Sequence, residues 1–267
     1  MAYAKINSVT NANMAKVSNV AKAAIGKIGN IDAPAASFNT YSLAFDGTND
    51  YVNFGGETVT WDMGSLSFWM KSTDTSTCVP VYLNSSNPYQ YVIFTSSIFG
   101  VRWPSHDGAT MAQFNQSSYD YLDGNWHHFV ITFERDGEMG GETTTTIYFD
   151  GTSVTTKNDT ETYTPAARTL KFGVYGTTGF PLGGSLDEVA WWDARTLSAD
   201  EVTELYNSGV PIALDSDSGN YVSSGNLTNW WRMGDGDTYS TIEDNTSSID
   251  GTMTNMASDD IEEDVPG

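Results

Sequence analysis

From residue 41 onward, apolar and polar positions alternate with a period of two, which is the pattern of a β-strand with one buried face. Asp-Gly and Gly-Gly turn dipeptides lie between the alternating segments. Many short strands joined by such turns predict an all-β sandwich or barrel and argue against βαβ units. The alternating apolar rows are Leu43/Phe45, Leu66/Phe68/Met70, Phe129/Ile131/Phe133, Ile147/Phe149 and Leu170/Phe172/Val174.

One short surface helix interrupts the predicted strands. Ser198 followed by Glu201 is a capping box, in which each side chain bonds the other residue's backbone N–H group. Gly209 and Pro211 are expected to end the helix. Its apolar positions are Leu197, Val202, Leu205 and Tyr206.

Residues 1–33 have a different pattern, in which apolar residues recur at roughly helical spacing. Gly26 and Gly29 weaken a helix here. The segment is either a frayed tail or an arm that orders only when its apolar face binds a partner. The sequence at 32–34 marks its boundary, because Pro34 restricts the conformation of the residue before it.

The chain of 267 residues has a formal net charge of −22, with 34 acidic and 12 basic residues. So acidic a protein repels phosphate backbones, and we expect no nucleic-acid partner. No apolar stretch has the length of a membrane span, and the N-terminal segment lacks the apolar region of an export signal. We therefore expect neither membrane insertion nor Sec-type export. Cys78 is the only cysteine, which excludes an intrachain disulfide.

Five short motifs follow one another along the chain. They are Phe45-Asp46-Gly47-Thr48-Asn49-Asp50-Tyr51-Val52, Leu66-Ser67-Phe68-Trp69, Gly124-Asn125-Trp126-His127-His128, Ile147-Tyr148-Phe149-Asp150-Gly151 and Gly184-Ser185-Leu186-Asp187-Glu188-Val189. Together they resemble the laminin-G-like domains of the concanavalin-A-like lectin/glucanase superfamily, and more distantly the pentraxins. The resemblance covers about residues 41–208 and implies a two-sheet antiparallel jelly-roll sandwich. It implies no single function, because this fold carries lectins, structural modules and glycosidases.

The C-terminal tail, with Trp230-Trp231 and later Asp250-Gly251, resembles the segment that usually precedes the Phe-Asp-Gly strand of these domains. Either a second repeat is truncated, or the order is circularly permuted and the tail closes the same sandwich. We favour permutation, because about 58 residues are too few for another sandwich of about 100 residues. The predicted organisation is an N-terminal arm or anchor at 1–40, a laminin-G-like sandwich at 41–209 and an extension at 210–267 that completes it.

The overall pattern, including the lysine-bearing arm, is similar to virion-associated proteins of tailed phages from marine bacteria. This resemblance implies a non-enzymatic virion structural or decoration protein that displays an adhesion domain. Residues 1–33 would contact other virion proteins, and the protein would reach the virion from the host cytoplasm without a signal peptide. The alternative is a soluble carbohydrate-binding module that recognises surface polysaccharide, and a glycoside hydrolase is the third hypothesis.

Asp187 is the strongest metal candidate. Strand alternation places Asp187, Val189 and Trp191 on one face, so Asp187 is a buried carboxylate if that face is the core. A buried charge needs a partner, and either a cation or backbone N–H groups could supply it. The resemblance names Asp46 as its companion, because related domains often hold a structural calcium ion with acidic loop residues.

Catalytic and zinc motifs are missing from the sequence. Related glucanases carry Glu-x-Asp-x-x-Glu along one strand, and no such run occurs here. His127 and His128 are neighbours on a strand and point to opposite faces, so they cannot chelate one ion. We therefore expect no enzyme activity.

Carbohydrate binding would need an aromatic platform flanked by amides and hydroxyls. The sequence leaves open whether the available rings form such a platform or belong to the core, and it names no sugar site. The aromatic and amide candidates are Trp103, Tyr89, Tyr91, Tyr175, Phe180, Asn84, Asn87 and Gln113.

Overall fold

Two antiparallel sheets are stacked face to face in the computed structural model. The first sheet has eight described strands, which run across it in the order β11 (Ala112–Asn115), β10 (Ile98–Arg102), β9 (Gln90–Phe94), β8 (Cys78–Asn84), β15 (Arg168–Phe172), β6 (Tyr51–Val59), β19 (Gly251–Thr254) and β18 (Thr241–Ile242). The structure describes residues 16–17, 20–21, 27–28, 31–32, 39–59, 61, 63–84, 90–103, 111–135, 142–159, 167–247 and 249–267.

The second sheet also has eight described strands. Seven of them run in the order β14 (Thr152–Asp159), β13 (Thr143–Phe149), β12 (Trp126–Arg135), β7 (Gly64–Lys71), β16 (Gly183–Asp193), β5 (Ser42–Asp46) and β20 (Ile261–Glu262), and β17 (Leu227–Trp231) pairs with β16. The predicted all-β, two-sheet antiparallel sandwich is confirmed.

The core lies between the sheets, and the alternating rows of the sequence fill it. Trp61 stacks on Trp191 with ring centroids 4.9 Å apart, and Trp103 stacks on Phe133 at 5.1 Å. Asp150 (φ +46°) and Gly151 (φ +75°) form the predicted turn between β13 and β14, where both central residues are left-handed. Fully buried core residues include Val52, Val81, Val92 and Phe172 of the first sheet and Leu66, Phe68, Phe129 and Ile131 of the second.

The strands that follow residue 209 lie in both sheets. β19 pairs with β6 in the first sheet, whereas β17 pairs with β16 and β20 pairs with β5 in the second. Trp231, on β17, is completely buried in the core. The C-terminal segment therefore contributes strands and core side chains to the same two sheets as residues 41–209.

The predicted helix is α1 (Ala199–Tyr206), and its capping box is present. The Ser198 side chain accepts a hydrogen bond from the Glu201 amide, and the Glu201 carboxylate accepts one from the Ser198 amide. Three residues with positive φ follow the helix, namely Asn207 (+42°), Ser208 (+59°) and the predicted Gly209 (+100°), and Asn207 is the C-cap. α1 has eight residues, and no helix among those described is long and apolar enough to cross a bilayer.

The N-terminal segment differs from its predicted helical pattern wherever it is described. The pairs are β1 (Lys16–Val17) with β2 (Val20–Ala21), and β3 (Lys27–Ile28) with β4 (Ile31–Asp32). In sequence, two residues separate the strands of each pair, and one of these connections reads Gly-Asn, a hairpin-turn dipeptide. The predicted helix is therefore wrong at these residues, because valine and isoleucine beside such turns favour strands. The rest of the predicted arm lies outside the described residues.

A β-bulge interrupts β16 at Glu188, whose φ is +48°. Leu186 faces the core before the bulge and Val189 and Trp191 face it afterwards. The prediction that Asp187 shares a face with Val189 and Trp191 is wrong, because a bulge inserts one extra residue and reverses the alternation. Asp187 is completely buried, as predicted, but on the side of β16 away from the core.

Candidate functional site

A row of aligned side chains crosses the outer face of the first sheet. Register places Arg102 opposite Tyr91, Tyr91 opposite Tyr82, Tyr82 opposite Lys171, Lys171 opposite Asn53, and Asn53 opposite Thr252. Each of these residues neighbours a core residue along its own strand, so its side chain points away from the core. We call these six residues, Arg102, Tyr91, Tyr82, Lys171, Asn53 and Thr252, the cross-sheet row.

The loop after β15 places two aromatic side chains, Tyr175 and Phe180, beside the cross-sheet row. Tyr175 and Gly179 exchange two backbone hydrogen bonds, which close this loop. The Tyr175 ring packs edge-on against Tyr82 and Tyr91, with centroids 5.2 Å away in both cases, and lies 5.5 Å from Phe180. The result is a cluster of four rings on the outer face of the sheet.

Phe180 is the exposed member of this cluster. Its side chain is 45% exposed, and its backbone has φ +48°. A left-handed conformation costs a non-glycine residue about 1–2 kcal/mol. Strain of this kind is concentrated at binding and catalytic sites, so Phe180 adds to the reasons to place a site here.

Lys171 links the row to the loop. Its Nζ donates a hydrogen bond of 2.6 Å to the Gly176 carbonyl oxygen and lies 5.4 Å from the centre of the Tyr51 ring. Burial lowers the pKa of Lys171 below its usual value, because a desolvated ammonium group is less stable. Beside it, the Asn53 Oδ1 accepts a hydrogen bond from the Gly55 amide.

Three residues of the row, Asn53, Tyr82 and Lys171, and the loop residues Gly176 and Thr177 line an open groove of about 520 Å³, a size typical of small-ligand sites. Tyr82 supplies an aromatic surface, while hydroxyl, amide and cationic groups come from the neighbouring strands and the loop. None of the described residues that line the groove is acidic. The polar lining residues are Asn53, Thr58, Arg168, Thr169, Lys171 and Thr177.

The aromatic candidates of the sequence divide between the groove and the core. Tyr91, Tyr175 and Phe180 belong to the ring cluster beside the groove. Trp103 is a core residue, and Gln113 is exposed on β11. Tyr89, Asn87 and the side chain of Asn84 lie outside the described residues.

Asp46 is the last residue of β5, and backbone amides of the turn that follows bind its side chain. Its Oδ1 accepts hydrogen bonds from the Thr48 amide at 2.7 Å and the Asn49 amide at 3.2 Å. Slight desolvation acts to raise the pKa of Asp46, but these amides outweigh it, and the pKa lies below its usual value.

Both carboxylate oxygens of Asp187 accept hydrogen bonds from other groups of the protein. Its Oδ2 accepts a hydrogen bond of 2.7 Å from the Asn39 side chain, and its Oδ1 accepts one of 2.8 Å from the Glu188 amide. Burial raises the pKa of Asp187 well above its usual value, and the neighbouring Glu188 carboxyl group raises it further.

Asp46 and Asp187 do not form one calcium site. Asp46 pairs with Gly183 in the β5–β16 ladder, so Asp187 lies four residues, about 13 Å, further along the strand. Among the described residues, no group of three or more His, Cys, Asp or Glu side chains is arranged to hold a metal ion. Metal binding by Asp46 or by Asp187 alone stays a prediction. It predicts that the melting temperature measured in calcium falls when a chelator is added.

The two neighbouring histidines contact different partners. The His127 ring bonds to Asp150 and Asp123 at 2.8 and 3.1 Å. The His128 Nε2 lies 2.8 Å from the Ser67 hydroxyl, and complete burial lowers the pKa of His128 to about 3. Neither ring is among the residues that line the groove.

Sequence comparison identifies the family of this sandwich. A laminin-G-type profile described as "Concanavalin A-like lectin/glucanases superfamily" matches residues 46–203. The chain belongs to this superfamily. The predicted family is therefore confirmed, whereas no curated protein sequence matches the chain significantly.

Several solved structures align with more than half of the chain. A Bacteroides ovatus protein proposed to bind carbohydrate has a TM-score of 0.57 and 14% identity, with 85% of this chain and 61% of that protein covered. The Limulus polyphemus SAP-like pentraxin has a TM-score of 0.48 and 13% identity, with 82% and 97% covered. Domain 4 of the Geobacillus stearothermophilus arabinanase AbnA, in complex with arabinotriose, has a TM-score of 0.40 and 15% identity, with 62% and 76% covered. At these identities, the likeness shows the fold alone.

Proposed function

We propose that this concanavalin A-like domain binds carbohydrate in the groove beside the cross-sheet row. The observation that carries the proposal is the Tyr82 ring, which lines the groove together with amide, hydroxyl and ammonium groups and is held by the Tyr175 ring packed against it. A sugar ring has an apolar face, which packs on an aromatic ring, and hydroxyl groups, which bond polar side chains. The proposed carbohydrate binding of the Bacteroides ovatus protein supports the same choice.

Tyr82→Ala is expected to weaken oligosaccharide binding about tenfold or more, since truncating an aromatic anchor in a binding site typically costs over 1 kcal/mol. Tyr82 is only partly buried and lies outside the core, so the melting temperature should change little. A glycan array with neutral and acidic oligosaccharides identifies the ligand, and calorimetry then compares the variant with the unchanged protein.

Tyr239→Ala is the matched control. Tyr239 is 50% exposed and does not line the groove, so its removal should leave the affinity unchanged. Equal affinity of the Tyr82→Ala variant and the unchanged protein would reject the groove as the site. If the protein binds no glycan on the array, carbohydrate binding itself is rejected.

We expect no glycoside hydrolysis at this groove. A retaining glycosidase needs two carboxyl groups about 5–5.5 Å apart on either side of the scissile bond, and the described lining residues include no carboxylate. Incubation with any polysaccharide that the protein binds should release no reducing ends. Release that persists in the Tyr82→Ala variant would place catalysis elsewhere in the chain.

The virion role stays a prediction from the resemblance, with residues 1–33 as the contact to other virion proteins and the virion as the location. Its test is limited proteolysis of the full chain, alone and mixed with phage particles. Protection of residues 1–33 in the mixture would support the role, and identical cleavage would count against it.

A further inference from the structure

The groove differs in charge from the rest of this acidic chain. Acidic residues outnumber basic residues by 34 to 12 over the whole sequence. The described lining of the groove nevertheless includes two cationic residues, Lys171 and Arg168, and Arg102 lies further along the cross-sheet row, outside that lining. With no acidic residue among its described lining, the groove is a cationic strip on a protein of net charge −22.

Lys171 differs in its partners from Lys71, Arg195 and Arg232, which pair with carboxylates. Lys71 pairs with Asp264, and Arg195 pairs with Glu201. Among the described residues, Lys171 has no carboxylate within ion-pair distance, and its partners are the Gly176 carbonyl and the Tyr51 ring. An ammonium group loses hydration when it is partly buried, and neutral acceptors compensate that loss only in part.

A negatively charged group on a ligand would provide the ion-pair partner that Lys171 lacks among the described residues. A carboxylate or sulfate group against the Lys171 ammonium forms a charge-assisted hydrogen bond, roughly twice as strong as a neutral one. The ring cluster beside it would pack on the sugar that carries the acidic group. Because the rest of the chain repels anions, binding of an acidic glycan requires this local arrangement and cannot come from net charge.

We infer that the groove binds an acidic glycan, whose carboxylate or sulfate group is held by Lys171. This inference rests on the proposed function and names the class of ligand for the same groove.

Calorimetry with the full chain tests the inference with three short probes of equal length: trigalacturonate, a sulfated trisaccharide and neutral maltotriose. We expect at least one acidic probe to bind about tenfold more tightly than the neutral one, as a hydrogen bond to a charged group implies. Lys171→Gln should lower the affinity for that acidic probe to about the neutral level, a loss several times larger than its effect on maltotriose binding. Lys157→Gln, on β14 of the second sheet, makes the same change of charge away from the groove and should have no effect.

The outcomes separate the inference from the proposed function. If neutral and acidic probes bind equally and Tyr82→Ala weakens both, the site stands and the acidic class is wrong. If Lys171→Gln weakens all probes equally, the lysine acts only by holding the loop at Gly176, and the inference is overturned. If no probe and no array glycan binds, the proposed function fails as well. The melting temperature of each variant shows that the fold is kept.

Discussion

Replacement of Trp231 by alanine is expected to lower the free energy of unfolding by about 3–5 kcal/mol, the usual cost of truncating a large buried aromatic residue. Trp231 is completely buried, and its ring lies 5.1 Å from Phe54, 5.2 Å from Phe172 and 6.0 Å from Trp61. Its Nε1 also donates a hydrogen bond of 2.9 Å to the Ile249 carbonyl oxygen. One substitution therefore removes contacts between the two sheets.

Urea unfolding of the variant and the unchanged protein measures this loss. Val222→Ala, at a side chain that is 61% exposed in the same C-terminal segment, is the control and should stay within about 0.5 kcal/mol. A loss below about 1 kcal/mol for Trp231→Ala would contradict the placement of the segment after residue 209 in the common core.

Stability is expected to fall as the pH rises from about 5 to 8, because buried carboxyl groups then ionise. Burial raises the pKa of Glu188 to about 7, although the Arg232 and Trp230 side chains partly offset it, and burial raises that of Asp237 to about 6. Burial also raises the pKa of Asp187. Each group holds its proton more tightly in the folded chain, so its contribution is complete below pH 4 and is lost as the pH rises through the folded pKa.

Glu188 accounts for a large share of this loss, on the order of 3 kcal/mol. His127 acts in the same direction: desolvation lowers its pKa, but hydrogen bonds to Asp150 and Asp123 raise it overall. The lowered pKa values of Asp46, Asp123 and Glu201 have the opposite effect, but at pH values below about 4.5, outside this window.

Urea unfolding at pH 5 and pH 8 checks the trend, and Glu188→Gln identifies its source. The variant has no titrating group at this position, so its stability should differ less between the two pH values. Glu262→Gln removes an exposed carboxylate and should keep the full difference. Equal slopes for Glu188→Gln and the unchanged protein would show that Glu188 does not bind a proton on folding.

The sequence predicts strands β5, β7, β12, β13, β15 and β16, the turn at residues 150–151 and the helix, because each follows from local alternation, turn residues or capping residues. The bulge at Glu188 has no such local signal, so the face of Asp187 was predicted wrongly. The hairpins before residue 33 were missed because short strands and a helix can share the same spacing of apolar residues.

The groove is harder to predict than the fold, because it depends on which strands are neighbours. Tyr82 and Lys171 lie 89 positions apart in sequence, and they meet only because β8 and β15 are adjacent in the first sheet. Alternation marks both as outward-facing, but it does not order the strands. Among the aromatic candidates, burial then distinguishes Trp103 in the core from Phe180, which is exposed in the ring cluster beside the groove.

The most direct test of carbohydrate binding at the groove is to map the bound ligand on the full chain. Amide chemical shifts are followed by NMR during titration with an oligosaccharide from the array. We predict that the changes cluster at the cross-sheet row and in the loop at residues 175–180. Changes confined to the turn at Asp46 or to strands β12–β14 of the second sheet would contradict the account.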